Sequence, residues 1–469
     1  MKDWSPGIER WLRAAPVEGH FPLTPEGDLP AGLRGSYYLN GPGTSGKNGL
    51  EYRHWLDGDG LVTRLYFPGD GTVAARHRFV GSTKHTSEEA AGELLFRTFG
   101  TSFPGDRLRR IGLESPVNVS AYPWAGRLLA FGEQALPWEL DPESLETREE
   151  YRFGGRLNEV SPLSAHPSID PATGEMWNFG ISYAFDKPTV TLYRFADGVL
   201  VERFRVPLPY PATVHDFGLS PSYAIWHLSP YLLDVQKFLA GGESVVGALS
   251  WEPERGSLLH VARRSDGALV ASIPASGYVL HWINAFERGH ELVLDVVELE
   301  APVYGEYQVL PDLFTDVAPG GPVRYVVDTR SWTVTERIVH GYRQTPDFPA
   351  SDVKHAQEPT ADFWLLGISQ VGQVGRKFYD QLAHLHLDHP EAPRGLYQSP
   401  AGTYLGGEPV FLPGPSGTGG FILCEQFDTA ADRVDFVLFD AFDVAAGPRV
   451  RMPLPHKIPP GFHAAWAPG

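Results

Sequence analysis

Gly126-Arg127-Leu128-Leu129-Ala130-Phe131-Gly132-Glu133 is a short apolar run with glycine at both ends and an acid directly after it. It is too short for an ordinary helix and is stopped by turn-forming residues, so it reads as a buried β-strand. The same signature recurs at Gly35 to Asn40, Leu61 to Phe67, Met176 to Ile181, Thr189 to Arg194, Glu291 to Val297, Val323 to Asp328, Phe363 to Ile368, Gly420 to Cys424 and Val434 to Asp440, each bounded by Gly, Pro, Asp or Asn. Amphipathic helical runs are nearly absent, with Ser229 to Ala240 and Arg376 to His386 as the main candidates. The 51 Gly and 42 Pro fit a chain of many turns. The expectation is an all-β, hairpin-rich fold.

At 469 residues the chain exceeds one sandwich or α/β domain, so it forms either several domains or one large closed architecture such as a propeller or barrel. No repeat of WD type is visible; seven blades would allow about 67 residues each where a blade needs roughly 40 to 45, leaving long loops to roof one face. With no Ser/Gly linker or charge run, a single domain over residues 1–469 is expected, residues 1–30 being an N-terminal extension. The net charge of −18 repels phosphate backbones and argues against a nucleic-acid partner. Cys424 is the single cysteine, which rules out a disulfide scaffold and a thiolate metal cage. The start, Met-Lys-Asp-Trp-Ser-Pro, lacks an apolar signal core and no run of about 18 apolar residues occurs, so the reading is a cytoplasmic protein.

Of 17 histidines, four lie in apolar or turn-flanked contexts that suggest inward-facing positions: Ala165-His166-Pro167, Val214-His215-Asp216-Phe217, Leu280-His281-Trp282 and Phe462-His463-Ala464. Their separations of 49, 66 and 182 residues match neither a zincin helix nor a zinc finger, so each must come from a separate element. Any one of them alone reads more readily as a core histidine bonded to a backbone carbonyl than as a ligand, and that is the reading given to His227, His260, His340 and His355. An all-imidazole shell suits iron, copper, zinc or nickel, which leaves the metal open. Metal-bound imidazoles usually donate their second N–H to a carboxylate. Glu133 and Glu408, set in apolar strands, fit that role; Asp347, before Phe-Pro, fits it less well, and each reads alternatively as a turn-capping acid.

These segments resemble the carotenoid cleavage oxygenase family from about residue 30 to the end. Tyr38-Leu39-Asn40-Gly41-Pro42-Gly43 is similar to the family's Arg-Asn-Gly-Pro-Asn turn, and His54-Trp55-Leu56-Asp57-Gly58-Asp59-Gly60 to its highly specific His-Trp-Phe-Asp-Gly-Asp-Gly signature. His281-Trp282-Ile283-Asn284-Ala285-Phe286-Glu287, Gly407-Glu408-Pro409-Val410-Phe411 and Pro460-Gly461-Phe462-His463-Ala464-Ala465-Trp466 extend the match. The resemblance implies a seven-bladed β-propeller, with inserted loops and short helices forming a dome over an axial Fe(II) held by His166, His215, His281 and His463. Its supporting acids map onto Glu133 and Glu408, while a Glu-Phe-Pro-Arg motif reads here Asp347-Phe348-Pro349-Ala350. The shorter aspartate is expected to lie farther from its histidine, to act through water, or to be replaced by Glu358. The family's Glu-Asp-Asp-Gly stretch is replaced by Gly417-Thr418-Gly419-Gly420.

The implied reaction splits an alkene with dioxygen into two carbonyl products, needing no organic cofactor. Phe131, Phe217, Trp282 and Phe462 are candidates for an apolar tunnel and equally for propeller core. Pro230 to Leu239 is a candidate apolar lip for peripheral membrane contact, or a core helix. An apocarotenoid or carotenoid is the expected substrate. Stilbene-cleaving members carry a lysine just before the first supporting glutamate where this chain has Gly132, which weakens a stilbene or phenylpropene reading. Many members carry threonine near the open iron position, where this chain offers Val117 or Val119, as in the retinoid isomerase branch; isomerisation is therefore a minor alternative. A propeller that binds a small molecule without iron would place acids, not histidines, on its axis.

Overall fold

Short strands with a polar turn after each can only satisfy their backbone by pairing with the next strand, and the chain does so repeatedly. The structure is a computed structural model that describes every residue except 185–186, 308–309, 311, 346, 360–361 and 415–418, with only the backbone of 306. The altered stretch at 417–418 therefore lies outside the described residues. Six four-stranded antiparallel sheets and one five-stranded sheet follow one another as the seven blades of a β-propeller.

Blade 1 pairs Gly19–Leu23, Val73–Phe79, Gly60–Pro68, Arg34–Pro42 and Ala464–Pro468 in that order. Blades 2 to 7 begin with Ser120–Trp124, Ser168–Ile169, Gly218–Leu219, Tyr278–Arg288, Asp347–Ala350 and Thr403–Pro413, and each then adds three strands in sequence. Neighbouring blades touch through Gly218–Leu219, Tyr278–Arg288, Asp347–Ala350, Thr403–Pro413, Ala464–Pro468 and Ser120–Trp124, each against the next, from blade 4 round to blade 2. The ring closes where Ala464–Pro468 pairs antiparallel with Arg34–Pro42, in a register running from Leu39 opposite Ala464 to Gly35 opposite Pro468.

All ten strands read from the sequence are present, most of them longer by a few residues. Arg376 to His386 is not a helix: Gln381–His386 is a strand paired on both edges. Leu382 and Leu385 happen to fit a helical period, and a short apolar run buried on both faces carries no alternation to contradict it. Within Ser229 to Ala240 only Val235–Leu239 is helical, capped by Asp234, while Tyr231–Leu233 pairs with Leu249–Trp251. Residues 1–30 are in part built into the propeller, because Gly19–Leu23 is an outer strand of blade 1 and Trp11 is wholly buried against Phe378 and Phe427. No described helix is long and apolar enough to cross a membrane.

Candidate metal centre

A strand that begins near the axis of a propeller delivers its first residues to the middle of the molecule. His166 lies two residues before Ser168–Ile169, His215 three before Gly218–Leu219, His281 near the start of Tyr278–Arg288 and His463 directly before Ala464–Pro468. Blades 3, 4, 5 and 1 thus each supply one imidazole. All four are buried, and one ring nitrogen from each lies within 4.8 Å of the other three. The Nε2 atoms of His166 and His215 face each other at 2.9 Å, and Nε2 of His281 is buried without a hydrogen-bond partner. A single cation amid these lone pairs satisfies all of them, so the residues fit a bound metal.

The remaining three blades each supply an acid. Glu133 follows Arg127–Phe131 in blade 2, Asp347 opens the first strand of blade 6 and Glu408 lies in Thr403–Pro413 of blade 7. Glu133 Oε1 is 2.8 Å from His215 Nδ1, at salt-bridge distance but not in line for a hydrogen bond. Glu408 Oε2 is 3.5 Å from His463 Nδ1 and accepts from the Ala464 N–H at 2.9 Å. His281 Nδ1 bonds directly to Asp347 Oδ1 at 2.5 Å. The shortest acid thus makes the closest contact. A bulge between Asp347 and Ala350, with Phe348 at φ 54°, advances the aspartate toward its histidine; the left-handed backbone costs on the order of 1–2 kcal/mol. Glu358 instead pairs with His355 on the surface at 2.9 Å.

Burial, with the three neighbouring rings, holds His166 well below the usual imidazole range, and burial does the same at His463. At His215 burial is the largest influence and opposes the charge, but the carboxylates of Glu133, Asp216 and Asp347 together raise the ring. Burial likewise works to raise Asp347, and His281, the Phe348 N–H and His463 together reverse it. Glu408 is pushed up to about 8 by burial. Neutral imidazole is the form that ligates a metal.

Of the residues expected to line a tunnel, Phe131 and Phe462 belong to the central cluster, Phe462 lying 4.7 Å from Trp55. Phe217 and Trp282 do not line the axis. Phe217 packs on Phe179 and Trp226, and Trp282 lies against Gly218, where an added Cβ would strike its ring. Alternation explains Trp282, since its neighbour His281 faces the axis. Val117 sits at φ 55° in the core between blades 1 and 2, whereas Val119 joins the central cluster and its carbonyl accepts from the His463 N–H at 3.1 Å. Of the two valines, Val119 is the one beside the centre.

The signature from His54 to Gly60 makes no contact with the four rings through its acids. Asp57 accepts from the His54 and Gly100 N–H groups and the Thr101 hydroxyl, while Asp59 accepts from buried Lys84 at 2.8 Å. His54 Nδ1 accepts from the Leu56 N–H, so Nε2 carries the proton and donates to the Tyr304 carbonyl at 2.9 Å, which pins a 3-10 turn, Tyr304–Tyr307, above the histidines. The Tyr304 ring lies 6.2 Å from that of His215. Among the other histidines, His227 and His260 bond to backbone carbonyls, His340 accepts from the Tyr342 N–H, and His355 is exposed. Sequence reading missed Tyr304, Tyr307 and Tyr379, which stand in no motif.

The family model described as Retinal pigment epithelial membrane protein matches residues 13–468. The chain belongs to this family, the carotenoid cleavage oxygenases. The oxygenase is 30% identical over its whole length to the apocarotenoid-15,15'-oxygenase of Synechocystis sp., covering 97% of that protein. It is 27% identical to the isoeugenol monooxygenase of Pseudomonas putida, over 95% of this chain and 94% of that one. The lignostilbene-α,β-dioxygenase isozyme III of Sphingomonas paucimobilis is also 27% identical, over 98% and 96%. A cobalt-substituted crystal structure of the Synechocystis oxygenase superposes with a TM-score of 0.89 at 28% identity, covering 98% of this chain and 99% of that one. The enzyme is a carotenoid cleavage oxygenase-like dioxygenase.

Proposed function

We propose that His166, His215, His281 and His463 hold one ferrous ion and that the enzyme cleaves a carbon–carbon double bond of an apocarotenoid. The observation that carries this reading is the convergence of four buried imidazole nitrogens within 4.8 Å, one from each of four blades. When bound, the iron supplies dioxygen activation; both oxygen atoms end in the two carbonyl products and the alkene provides all four electrons. The chain itself contributes orientation and exclusion of water. Asp347, Glu133 and Glu408 stand on the Nδ1 side of three rings and so turn their Nε2 atoms toward the axis.

The likeness to an apocarotenoid oxygenase supports the substrate class. So does Gly132, where an added Cβ would lie 2.1 Å from Ser115 Oγ and 3.2 Å from the Val117 backbone, so that a phenol-gripping lysine there requires that serine to move. A second reading, a stilbene or phenylpropene, is favoured by Tyr304, whose ring lies 6.2 Å from that of His215 with Tyr231 packed on it and Tyr278 behind, because a phenol so placed can bond a polar ring substituent.

The test is anaerobic purification, metal analysis, then ¹⁸O₂ with apocarotenoids, stilbenes and phenylpropenes, following carbonyl products by mass spectrometry. One iron per chain and doubly labelled paired carbonyls are expected. His215→Ala and His463→Ala are expected to lose the metal and the reaction; retention of both by either variant rejects the site.

A further inference from the structure

A carboxylate that must aim one oxygen at an imidazole N–H is free to turn about its own Cβ–Cγ bond unless its second oxygen is also held. In Asp347 both are held. Oδ1 accepts from His281 Nδ1 at 2.5 Å and from the Phe348 N–H at 2.9 Å. Oδ2 accepts from two phenols, Tyr307 at 3.1 Å and Tyr379 at 3.3 Å. These phenols come from separate elements: Tyr307 ends the turn inserted in blade 5 and Tyr379 precedes the third strand of blade 6. Both are buried, and Phe314 packs edge-on against each ring at 5.3 and 5.2 Å. Phe348, directly after Asp347, and Phe314, packed on both phenols, adopt positive φ at 54° and 53°, so the backbone is strained at two points of this arrangement. Neither Glu133 nor Glu408 receives a hydroxyl among the described residues' hydrogen bonds.

We propose that Tyr307 and Tyr379 are positioning residues of the metal centre, clamping the Asp347 carboxylate in the orientation that aims His281 at the axis. The proposal rests on the four-histidine reading above. The two hydroxyls hold the carboxylate oxygen that His281 leaves free. Because Tyr307 belongs to the turn that His54 pins, the clamp also ties the cover of the site to one of its ligands.

The experiment uses full-length protein stripped by chelation and titrated with Co(II) alone, following visible absorption and the affinity by chelator competition. The wild type is expected to bind one Co(II) per chain. Tyr307→Phe combined with Tyr379→Phe keeps both rings and removes both hydroxyls; it is expected to weaken Co(II) binding about 10- to 100-fold and to change the absorption spectrum. Each single variant is expected to show a smaller change in the same direction, and these decide the matter should the double variant fold poorly. Tyr404→Phe, which removes a hydroxyl bonded to the Pro6 carbonyl and to none of the histidines or their acids, is expected to change neither. Wild-type affinity and spectrum in folded Tyr307 and Tyr379 variants overturn the clamp. Failure of the wild type to bind Co(II) overturns the four-histidine site itself, a distinguishable result.

Discussion

At position 347 the aspartate already touches its histidine, with Phe348 and two phenols close around it. A longer acid has nowhere to put its extra methylene, so Asp347→Glu is expected to cost about 1–3 kcal/mol of stability through overpacking and to lower metal occupancy. Metal analysis beside a thermal melt checks this; wild-type occupancy would show that the site has slack. Glu425 is a second buried acid, bonded at 2.7 Å to the N–H of Gly461 in the turn that carries His463, and burial pushes it up to about 8. An unfolded glutamate titrates near ~4.3, so between that value and about 8 the native chain holds the extra proton and stability falls as pH rises. Glu425→Gln is expected to flatten that fall, gaining on the wild type at pH 8 by on the order of a few kcal/mol and converging near pH 5; parallel unfolding curves would mean an ionised native carboxylate. The four histidines, Glu133 and Glu408 were legible because each sits in a segment that resembles the family's, whereas the direct contact of Asp347 was not, because the bulge that carries it leaves no mark in the sequence. The tyrosines of the clamp were not, because Tyr-Gly-Glu-Tyr at 304–307 has no periodicity or spacing that announces a partner.

The most distinctive motif, His54 to Gly60, turns out to be a structural knot whose strength lies in the helix Thr83–Ala91 packed against it. Lys84 in that helix is wholly buried between Asp59 and Glu88, at 2.8 and 2.9 Å, and also bonds the Tyr52 hydroxyl at 2.6 Å. Lys84→Met removes the cation shared by two buried carboxylates and leaves Asp59 only His85, and it is expected to destabilise the chain by about 3–5 kcal/mol, read as a lowered urea midpoint; a neutral outcome would mean that water reaches the acids. Gly60 allows the motif to pass the Val117 carbonyl, which an added Cβ would approach to 2.0 Å. Strands were readable from the sequence since each ends in a turn former, whereas Gln381–His386 was misread because both of its faces are buried.

Seven blades were not countable from sequence because loops of unequal length break any repeat, and because blade 1 is assembled from residues 19 to 79 and 464 to 468. That closure is testable. Deleting residues 464–469 keeps all four histidines yet removes the strand paired with Arg34–Pro42, and is expected to abolish metal binding and broaden thermal unfolding. Sharp unfolding with full metal content would show that the ring does not need its last strand. The closure also sets an order of events. His166, His215 and His281 fall within one stretch of the chain, while His463 reaches the axis only when distant segments dock, a slow step in a fold built on non-local pairing. Until then the growing molecule offers an incomplete tri-imidazole trap, to which copper and zinc bind more tightly than ferrous ion. Which ion is sealed inside is therefore expected to depend on the metals in the surroundings while the ring is still open, so that protein refolded in a zinc-rich mixture carries zinc that a finished propeller would have kept out.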